Sequence, residues 1–287
     1  MPSEIVLRKP RWLRVKLPSS KDFSLVDREL KDLQVGTVCR SAQCPNIFEC
    51  FSRKVATFLI LGPVCSRRCT FCDVPKGDPQ CIDSDEPAKI SQAVHKLKLR
   101  HIVITSVTRD DLDDGGAGQF SKVISRLRND HPSSTIEILI PDFQGKAKSL
   151  DTVIDAGPDV IGHNMETVRR LYPRVRPVAD YDTSLNLLKY ISENSEIKVK
   201  TGIMVGLGES DGEVLEVLEG IAGSGCDLTT IGQYLRPGIA NLPVDRYVNP
   251  DIFEEYAAAG KDMGLKMLCG PLVRSSYHAE EFSNCSN

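Results

Sequence analysis

Six of the ten cysteines in this 287-residue chain fall between positions 39 and 72, in two groups of three. The second group, Cys65-Ser-Arg-Arg-Cys69-Thr-Phe-Cys72, has the spacing C-x3-C-x2-C and follows an apolar, β-branched stretch. Three thiols this close can fold round one small object. Closed structural zinc sites use four ligands, so three local thiolates imply a distant fourth ligand or a coordination position left open for chemistry. The first expectation is an iron–sulfur cluster with one free iron, and the alternative is a zinc knuckle completed from elsewhere. The first group, Cys39-x4-Cys44-x5-Cys50, is looser, with Pro45 after its middle cysteine, and reads as a loop wrapped round a second cluster or metal. One continuous helix fits less well, because Cys44 sits off the face that Cys39 and Cys50 would share. The remaining Cys81, Cys226, Cys269 and Cys285 read as ordinary thiols, and the five histidines show no ligand spacing.

The surroundings narrow the class. Hydrophobic content of 41% and charged content of 26% are those of a globular chain, and 287 residues suffice for one large α/β core. A formal net charge of −3 gives no electrostatic reason to expect nucleic acid as a partner. No apolar run reaches the roughly 20 residues of a membrane span. The start, Met-Pro-Ser-Glu, carries no apolar secretion segment, so the cysteines suit a reducing, cytoplasmic setting in which clustered thiols bind metal. Arg8, Lys9, Arg11, Arg14 and Lys16 gather near the N-terminus, interrupted by Pro10, Trp12 and Leu13. They read as a solvated arm, with a docking surface for an acidic protein as the second reading.

Positioning such residues requires a scaffold, and one repeats along the chain. Strand-like runs over 55–61, 101–106, 135–140, 159–162, 197–205 and 228–232 alternate with helix-period segments over 87–99, 119–130, 146–156, 184–193, 211–223 and 250–263. A further short amphipathic helix is expected over 23–33. Alternation of this kind implies a parallel sheet with crossover helices. The expected fold is α/β, a partial, six-unit TIM-type β/α barrel with an N-terminal extension (1–54), a barrel (55–265) and a C-terminal tail (266–287). Ser106, the His163–Thr167 segment, Gly206–Glu209 and Gln233–Pro237 then follow strand C-terminal ends, where such folds place their sites.

Cys65-x3-Cys69-x2-Cys72 after a first barrel strand resembles the signature of the radical S-adenosylmethionine enzymes. That signature is shared by many activities. Within the superfamily the chain resembles the lipoyl synthases, through Cys39-x4-Cys44-x5-Cys50 and Arg274-Ser-Ser-Tyr-His-Ala279. Ser106-Val-Thr-Arg-Asp-Asp111, His163-Asn-Met-Glu-Thr-Val168 and Gly202-Ile-Met-Val-Gly-Leu-Gly-Glu209 add to it, and the resemblance runs from about 36 to 279. It implies that Cys65, Cys69 and Cys72 hold a 4Fe–4S cluster that binds and reductively cleaves S-adenosylmethionine. It implies that Cys39, Cys44 and Cys50 hold an auxiliary 4Fe–4S cluster, the sulfur donor. The fourth ligand there would be Ser276, with Ser275 as the alternative, so that the tail closes on the N-terminal extension. Ser276 and the Cys65 trio are the expected catalytic residues. Phe71, Ser106, Asn164, Glu166, Arg176 and Lys200 become candidate cofactor contacts, and the acidic pair Asp110 and Asp111 a candidate holder of the cofactor's ammonium. The implied reaction inserts two sulfur atoms at C6 and C8 of an octanoyl chain on a carrier-domain lysine. Implied partners are that octanoylated carrier, an electron donor such as ferredoxin or flavodoxin, and iron–sulfur assembly proteins.

Overall fold

The computed structural model of the chain describes residues 7–14, 21–53 and 55–279, so Lys16 and Cys285 lie outside the described residues. Seven strands form one all-parallel sheet in sequential order: β1 (Thr57–Ile60), β2 (His101–Ser106), β3 (Thr135–Leu139), β4 (Val160–Gly162), β5 (Lys198–Val205), β6 (Leu228–Gln233) and β7 (Lys266–Gly270). Among the described residues no ladder joins β7 back to β1, so the barrel is partial. Six crossover helices, Glu86–Leu97, Ala117–Asp130, Ala147–Asp155, Tyr181–Asn194, Asp211–Gly223 and Pro250–Asp262, connect the strands. The six expected units are therefore present, with a seventh strand beyond them. Lys266-Met-Leu-Cys-Gly270 escapes the sequence pattern because it is short and contains no β-branched residue. The expected boundary at 265 falls just before it, and the tail proper begins after Gly270.

Local signals explain the helix starts. The Ser210 hydroxyl accepts from the Glu213 N–H, and the Glu213 carboxylate accepts from the Ser210 N–H, a reciprocal cap for the helix at 211. Asn249 caps the next helix with Pro250 in its first turn, and Asp180 accepts from the Thr183 N–H.

Strand alternation divides the sheet into two contrasting faces. Phe58, Ile60, Ile102, Ile104, Ile136, Ile138, Ile161, Ile203, Val205 and Ile231 pack outward against the helices as one continuous core. The inward row is mixed: Thr57, Thr105, Glu137, Gly162, Lys200, Gly202, Thr230 and Gly232 are polar or small, while Val160 and Leu228 make a small apolar cluster with Leu268. Inside the barrel Glu137 accepts from Lys200 Nζ at 2.7 Å and meets His101 Nε2 at 3.1 Å. Burial alone would raise the Glu137 carboxyl, but the charge of Lys200 and the contact with His101 hold it below the usual carboxylate range.

The extension joins the barrel at β1, where the Leu59 N–H donates to Gly36 O and Thr37 bridges Phe58 in antiparallel fashion. Helix Lys21–Asp32 sits here, with Phe23 against Phe48 and Phe51. The first cysteine group is not a plain loop. Cys39 lies on a helical turn, Val38–Ser41, and Cys50 on another, Ile47–Ser52, with Cys44 in the bend between. The two turns escape notice because each is too short for periodicity to register.

The tail returns across the barrel to this extension. Asn46 Nδ2 donates to Leu272 O at 2.7 Å. Gly232 on β6 makes the return possible, since a Cβ there would collide with the backbone of Val273. Gly232→Val is therefore expected to lift the tail and leave the sheet intact. Hydrogen exchange would show residues 271–279 losing protection while β2 to β5 keep theirs; unchanged protection of the tail would contradict this packing.

Candidate active site

The C-x3-C-x2-C loop leaves β1 and is clamped by four other loops. Cys65 pairs its backbone with the Pro75–Gly77 segment, and the Thr108 N–H donates to Cys65 Sγ at 3.3 Å. The Thr70 N–H and hydroxyl donate to Val175 O and Arg174 O, at 3.0 and 2.8 Å. From the loop after β6, Asn241 Nδ2 donates to Cys72 O and the Leu242 N–H to Thr70 O. The fixed point is Arg67, whose guanidinium donates to Asp110 at 2.6 and 2.9 Å and to Asp142 at 2.5 and 2.7 Å. Arg67 and Asp142 are almost fully buried. Burial would raise the Asp142 carboxyl, but the hydrogen bonds and charge of Arg67 outweigh it and hold the group at about 2.

The first trio, Cys39, Cys44 and Cys50, shares a hollow with Asn46, Thr57, Arg274, Ser276 and Tyr277. Here the tail residues separate. Ser276 faces the trio, and its Oγ accepts from Thr57 Oγ1 at 2.9 Å. Ser275 Oγ instead donates to Asn164 Oδ1 at 3.1 Å, on the barrel side. Tyr277 donates to Glu49 at 3.0 Å, and His278 meets Arg53 at 2.9 Å, so the tail is fastened beyond the hollow as well.

Burial pushes the thiols of Cys39, Cys44, Cys50, Cys69 and Cys72 up from the ordinary thiol range. Burial, then the neighbouring Cys44, raises Cys39 to about 11. Cys44 and Cys50 are raised chiefly by burial, and Cys72, beside Cys69 and Cys65, to about 12. The first trio is gathered on one hollow and the second on one short loop. Among the described residues no group of three His, Cys, Asp or Glu side chains has the arrangement of a single-ion site. The sulfur donors suit a multi-iron cluster, whose iron would supply the positive charge that thiolates need in a buried setting.

Between the trios lies a charged patch from β4, β5 and the tail. Glu166 has φ +66°, a left-handed conformation rare for a side-chain-bearing residue, held by the Glu166 N–H to Gly202 O and the Met204 N–H to Glu166 O. Its carboxylate accepts from Asn164 Nδ2 at 3.1 Å and is raised by burial, against the pull of Arg176 and Arg274. Arg176 donates to Asn164 O and the Tyr172 hydroxyl, and its charge reaches Cys69. Arg274, fastened to Val273 O, is lowered by burial and pulled back by Cys44 and Glu166, one from each side. The half-buried Glu166 carboxylate, with the buried Arg176 and half-buried Arg274 guanidinium groups, matches the ammonium and carboxylate of an amino-acid-like cofactor. Gly202 leaves room for two of its neighbours, since a Cβ there would lie 2.5 Å from Thr230 Oγ1 and 3.1 Å from Asn164 Oδ1.

Not every expected residue joins this patch. Alternation turns Ser106 to the helix side of β2, where its hydroxyl is buried with no hydrogen-bond partner among the described residues. Lys200 points inward but is committed to Glu137. Asp110 and Asp111 hold Arg67 and Arg109 and so are not placed for an ammonium group. His163 Nδ1–H donates to Ile140 O and its Nε2 accepts from the Ser184 hydroxyl; lowered to about 4 by burial and then Arg176, the ring stays neutral. Glu209 accepts from two loop N–H groups, and Gln233 fastens the loops after β5 and β6. Arg67, Asp142 and Arg274 went unassigned; a charge between two cysteines was the available signal for the first.

Residues 59–221 match the family model of the Radical SAM superfamily. The lipoyl synthase of Caldicellulosiruptor saccharolyticus is 53% identical over 276 residues, 96% of this chain and 97% of that protein. The lipoyl synthase of Caldanaerobacter subterraneus is 51% identical over 278 residues, again 96% of this chain and 97% of the relative. Streptococcus suis SuiB bound to S-adenosylmethionine is similar in structure, with a TM-score of 0.59 at 10% identity over 78% of this chain and 53% of that one. Methylornithine synthase (PylB) gives 0.54 at 13% identity over 88% and 79%. At such low identity these two show the shared barrel fold alone.

The Arg67 clamp carries a pH signature. In the cluster-free chain Arg67→Met should cost roughly 3–5 kcal/mol at neutral pH, because two carboxylates lose their buried partner. Asp142 has a depressed folded pKa, so its contribution is present above the unfolded value of about 3.9 and is lost as pH falls through about 2. The gap in thermal stability between the wild type and the variant should narrow from pH 7 to pH 2. A gap independent of pH would contradict the clamp.

Proposed function

This chain belongs to the radical S-adenosylmethionine superfamily and, within it, to the lipoyl synthases, and from that premise we propose how its residues divide the work. The enzyme is a sulfurtransferase that uses two 4Fe–4S clusters and S-adenosylmethionine to insert sulfur at C6 and C8 of an octanoyl chain on a carrier-domain lysine. An unactivated C–H bond has no acidic proton, so a general base cannot open it. With S-adenosylmethionine, the cluster held by Cys65, Cys69 and Cys72 supplies the primary carbon radical that can.

The protein's own residues orient and exclude. We assign the cofactor's ammonium to Glu166 and its carboxylate to Arg176, with Asn164 holding Glu166 in place and Phe71 covering the cluster loop. Lys200 and Ser106 are left out of this set, the first because it neutralises Glu137 and the second because it faces the helices. The tail, fastened at Leu272, Tyr277 and His278, shields the space between the two sites from water.

Sulfur comes from the auxiliary cluster, which is substrate as well as guest. Cys39, Cys44 and Cys50 hold it, and Ser276 is the proposed fourth ligand. The observation that carries this reading is that Ser276, and not Ser275, lines one hollow with all three cysteines. An oxygen donor matches iron in such a cluster less well than thiolate does, which favours release. The Thr57 hydroxyl donates to Ser276 Oγ at 2.9 Å and would orient that oxygen toward the three cysteines. In this reading 1–54 carries the auxiliary site, 55–265 the radical chemistry and 266–287 the closing ligand. A low-potential electron donor and iron–sulfur assembly proteins complete the partner set. The nine described cysteines form no disulfide, and no helix among the described residues is long and apolar enough to cross a membrane, which supports a reducing, cytoplasmic setting.

The test is anaerobic reconstitution followed by incubation with S-adenosylmethionine, dithionite and an octanoyl-lysyl peptide. The protein should bind about eight irons, and the peptide should gain two sulfurs, labelled if the cluster was built from labelled sulfide. Ser276→Cys should slow turnover about tenfold or more, a barrier increase near 1.4 kcal/mol. Unlabelled product, or undiminished turnover by Ser276→Cys, would overturn the assignment.

A further inference from the structure

One cation at the meeting of the two sites has no carboxylate of its own. Arg274 is half-buried and lines the hollow of Cys39, Cys44, Cys50 and Ser276. Its Nη1 donates to Val273 O at 2.6 Å, a bond to the preceding residue that fixes the direction of the side chain and neutralises nothing. Among the described residues no acid pairs with it, whereas Arg67 has Asp110 and Asp142, and Arg109 has Asp111. Arg176 also lacks an ion pair, but it donates to three neutral oxygens, Asn164 O and the hydroxyls of Tyr172 and Ser184. The fold makes room for Arg274, since a Cβ at Gly232 would stand 3.2 Å from its Nη1. The acidic groups whose charge reaches it are Cys44, in the hollow, and Glu166, on the cofactor side. Arg53, the other cation near the trio, is exposed and held by His278, so water and salt screen its charge.

We propose that Arg274 is a positioning residue of the sulfur-donor site, the counter-cation of the cluster held by Cys39, Cys44, Cys50 and Ser276, and that it raises the reduction potential of that cluster. The proposal rests on the reading above that this hollow holds the auxiliary cluster. A charge withdrawn from water without a partner is costly, so a guanidinium fastened in this place calls for an anion. Three thiolates and a serine oxygen outweigh the positive charge of a four-iron core, and the site they build is that anion. Guanidinium N–H groups also suit sulfur acceptors, and both net charge and hydrogen bonds to sulfur set the potential of such clusters. The reaction gives the potential a purpose. When a carbon radical bonds to sulfide, each gives one electron to the new bond and the sulfur becomes a thiolate. The one electron left over reduces a ferric iron to ferrous, and a cation beside the cluster favours that transfer. Arg176, assigned to the cofactor's carboxylate, leaves Arg274 to this second task.

The experiment measures the potential of the auxiliary cluster alone, in full-length protein with Cys65, Cys69 and Cys72 replaced by Ala and loaded to about four irons. Arg274→Met keeps the bulk of the side chain and removes its charge, and Arg274→Lys keeps the charge. Arg274→Met should lower the midpoint potential by about 59 mV or more, a tenfold or larger change in a one-electron equilibrium. Arg274→Lys should recover most of the difference, and hydrogen exchange over residues 271–279 should show the tail seated in both. Loading of the lysine variant but not of the methionine variant would support the same need for a cation. Equal potentials in the parent and Arg274→Met would overturn the proposal, and weaker S-adenosylmethionine binding by the otherwise wild-type Arg274→Met enzyme would then give the guanidinium to the cofactor. A lysine variant as low in potential as the methionine one would also overturn it, because the effect would be one of shape. A parent protein that holds no four-iron cluster would overturn the underlying reading and the proposal with it, and the iron count tells that failure from the others.

Discussion

The contact on which the architecture turns is the one between Ser276 of the tail and Thr57 at the start of β1. It joins the returning tail to the first strand and brings a hydroxyl oxygen beside the thiols of Cys39, Cys44 and Cys50. The other contacts on the N-terminal side depend on it. Asn46, Glu49 and Arg53, all on the extension, hold Leu272, Tyr277 and His278 in turn. The same turn of tail sends Ser275 the other way, to Asn164, so two adjacent serines serve opposite sites. Arg274 lies at the divide, its charge felt by Cys44 on one side and Glu166 on the other.

The barrel interior is built to leave that meeting place open. Its outward row is almost wholly Ile, Val and Phe, and that row carries the hydrophobic stabilisation. The inward row keeps a small apolar cluster of Val160, Leu228 and Leu268 but otherwise gives much of its length to glycine, threonine and one internal ion pair. Gly202 and Gly232 are the clearest cases, one clearing space for Asn164 and the other for the tail backbone. A buried pair such as Glu137 with Lys200 adds little net stability against an apolar alternative. The cysteine loop is rigid for a different reason. Arg67 fills the space between Asp110 and Asp142, and so ties the loop after β1 to those after β2 and β3.

Most of the scaffold could be read from periodicity, and the two trios from spacing. Six strands and six helices lie within a few residues of their expected bounds because burial on one face imposes a period that composition exposes. β7 was missed because Met, Leu and Cys give no strand signal, and the turns at Cys39 and Cys50 because four to six residues make no period. Ser276 could be named only from the resemblance; its separation from Ser275 is a matter of tail geometry that no spacing rule contains. Ser106 and Lys200 show the opposite error. Both are polar and near strand ends, but pleat direction turns one outward, and a carboxylate two strands away claims the other. Side-chain partners across the sheet are long-range facts, invisible to a local pattern.

The central claim is that one oxygen ligand, from Ser276, completes the auxiliary cluster. It is tested most directly by Mössbauer spectroscopy of ⁵⁷Fe-loaded protein in which Cys65, Cys69 and Cys72 are replaced by Ala, so that the auxiliary cluster alone remains. Its spectrum should contain one iron site in about four that differs from the thiolate-bound ones, and Ser276→Ala should shift that site while Ser275→Ala leaves it in place. A spectrum that responds to Ser275→Ala and ignores Ser276→Ala would contradict the account.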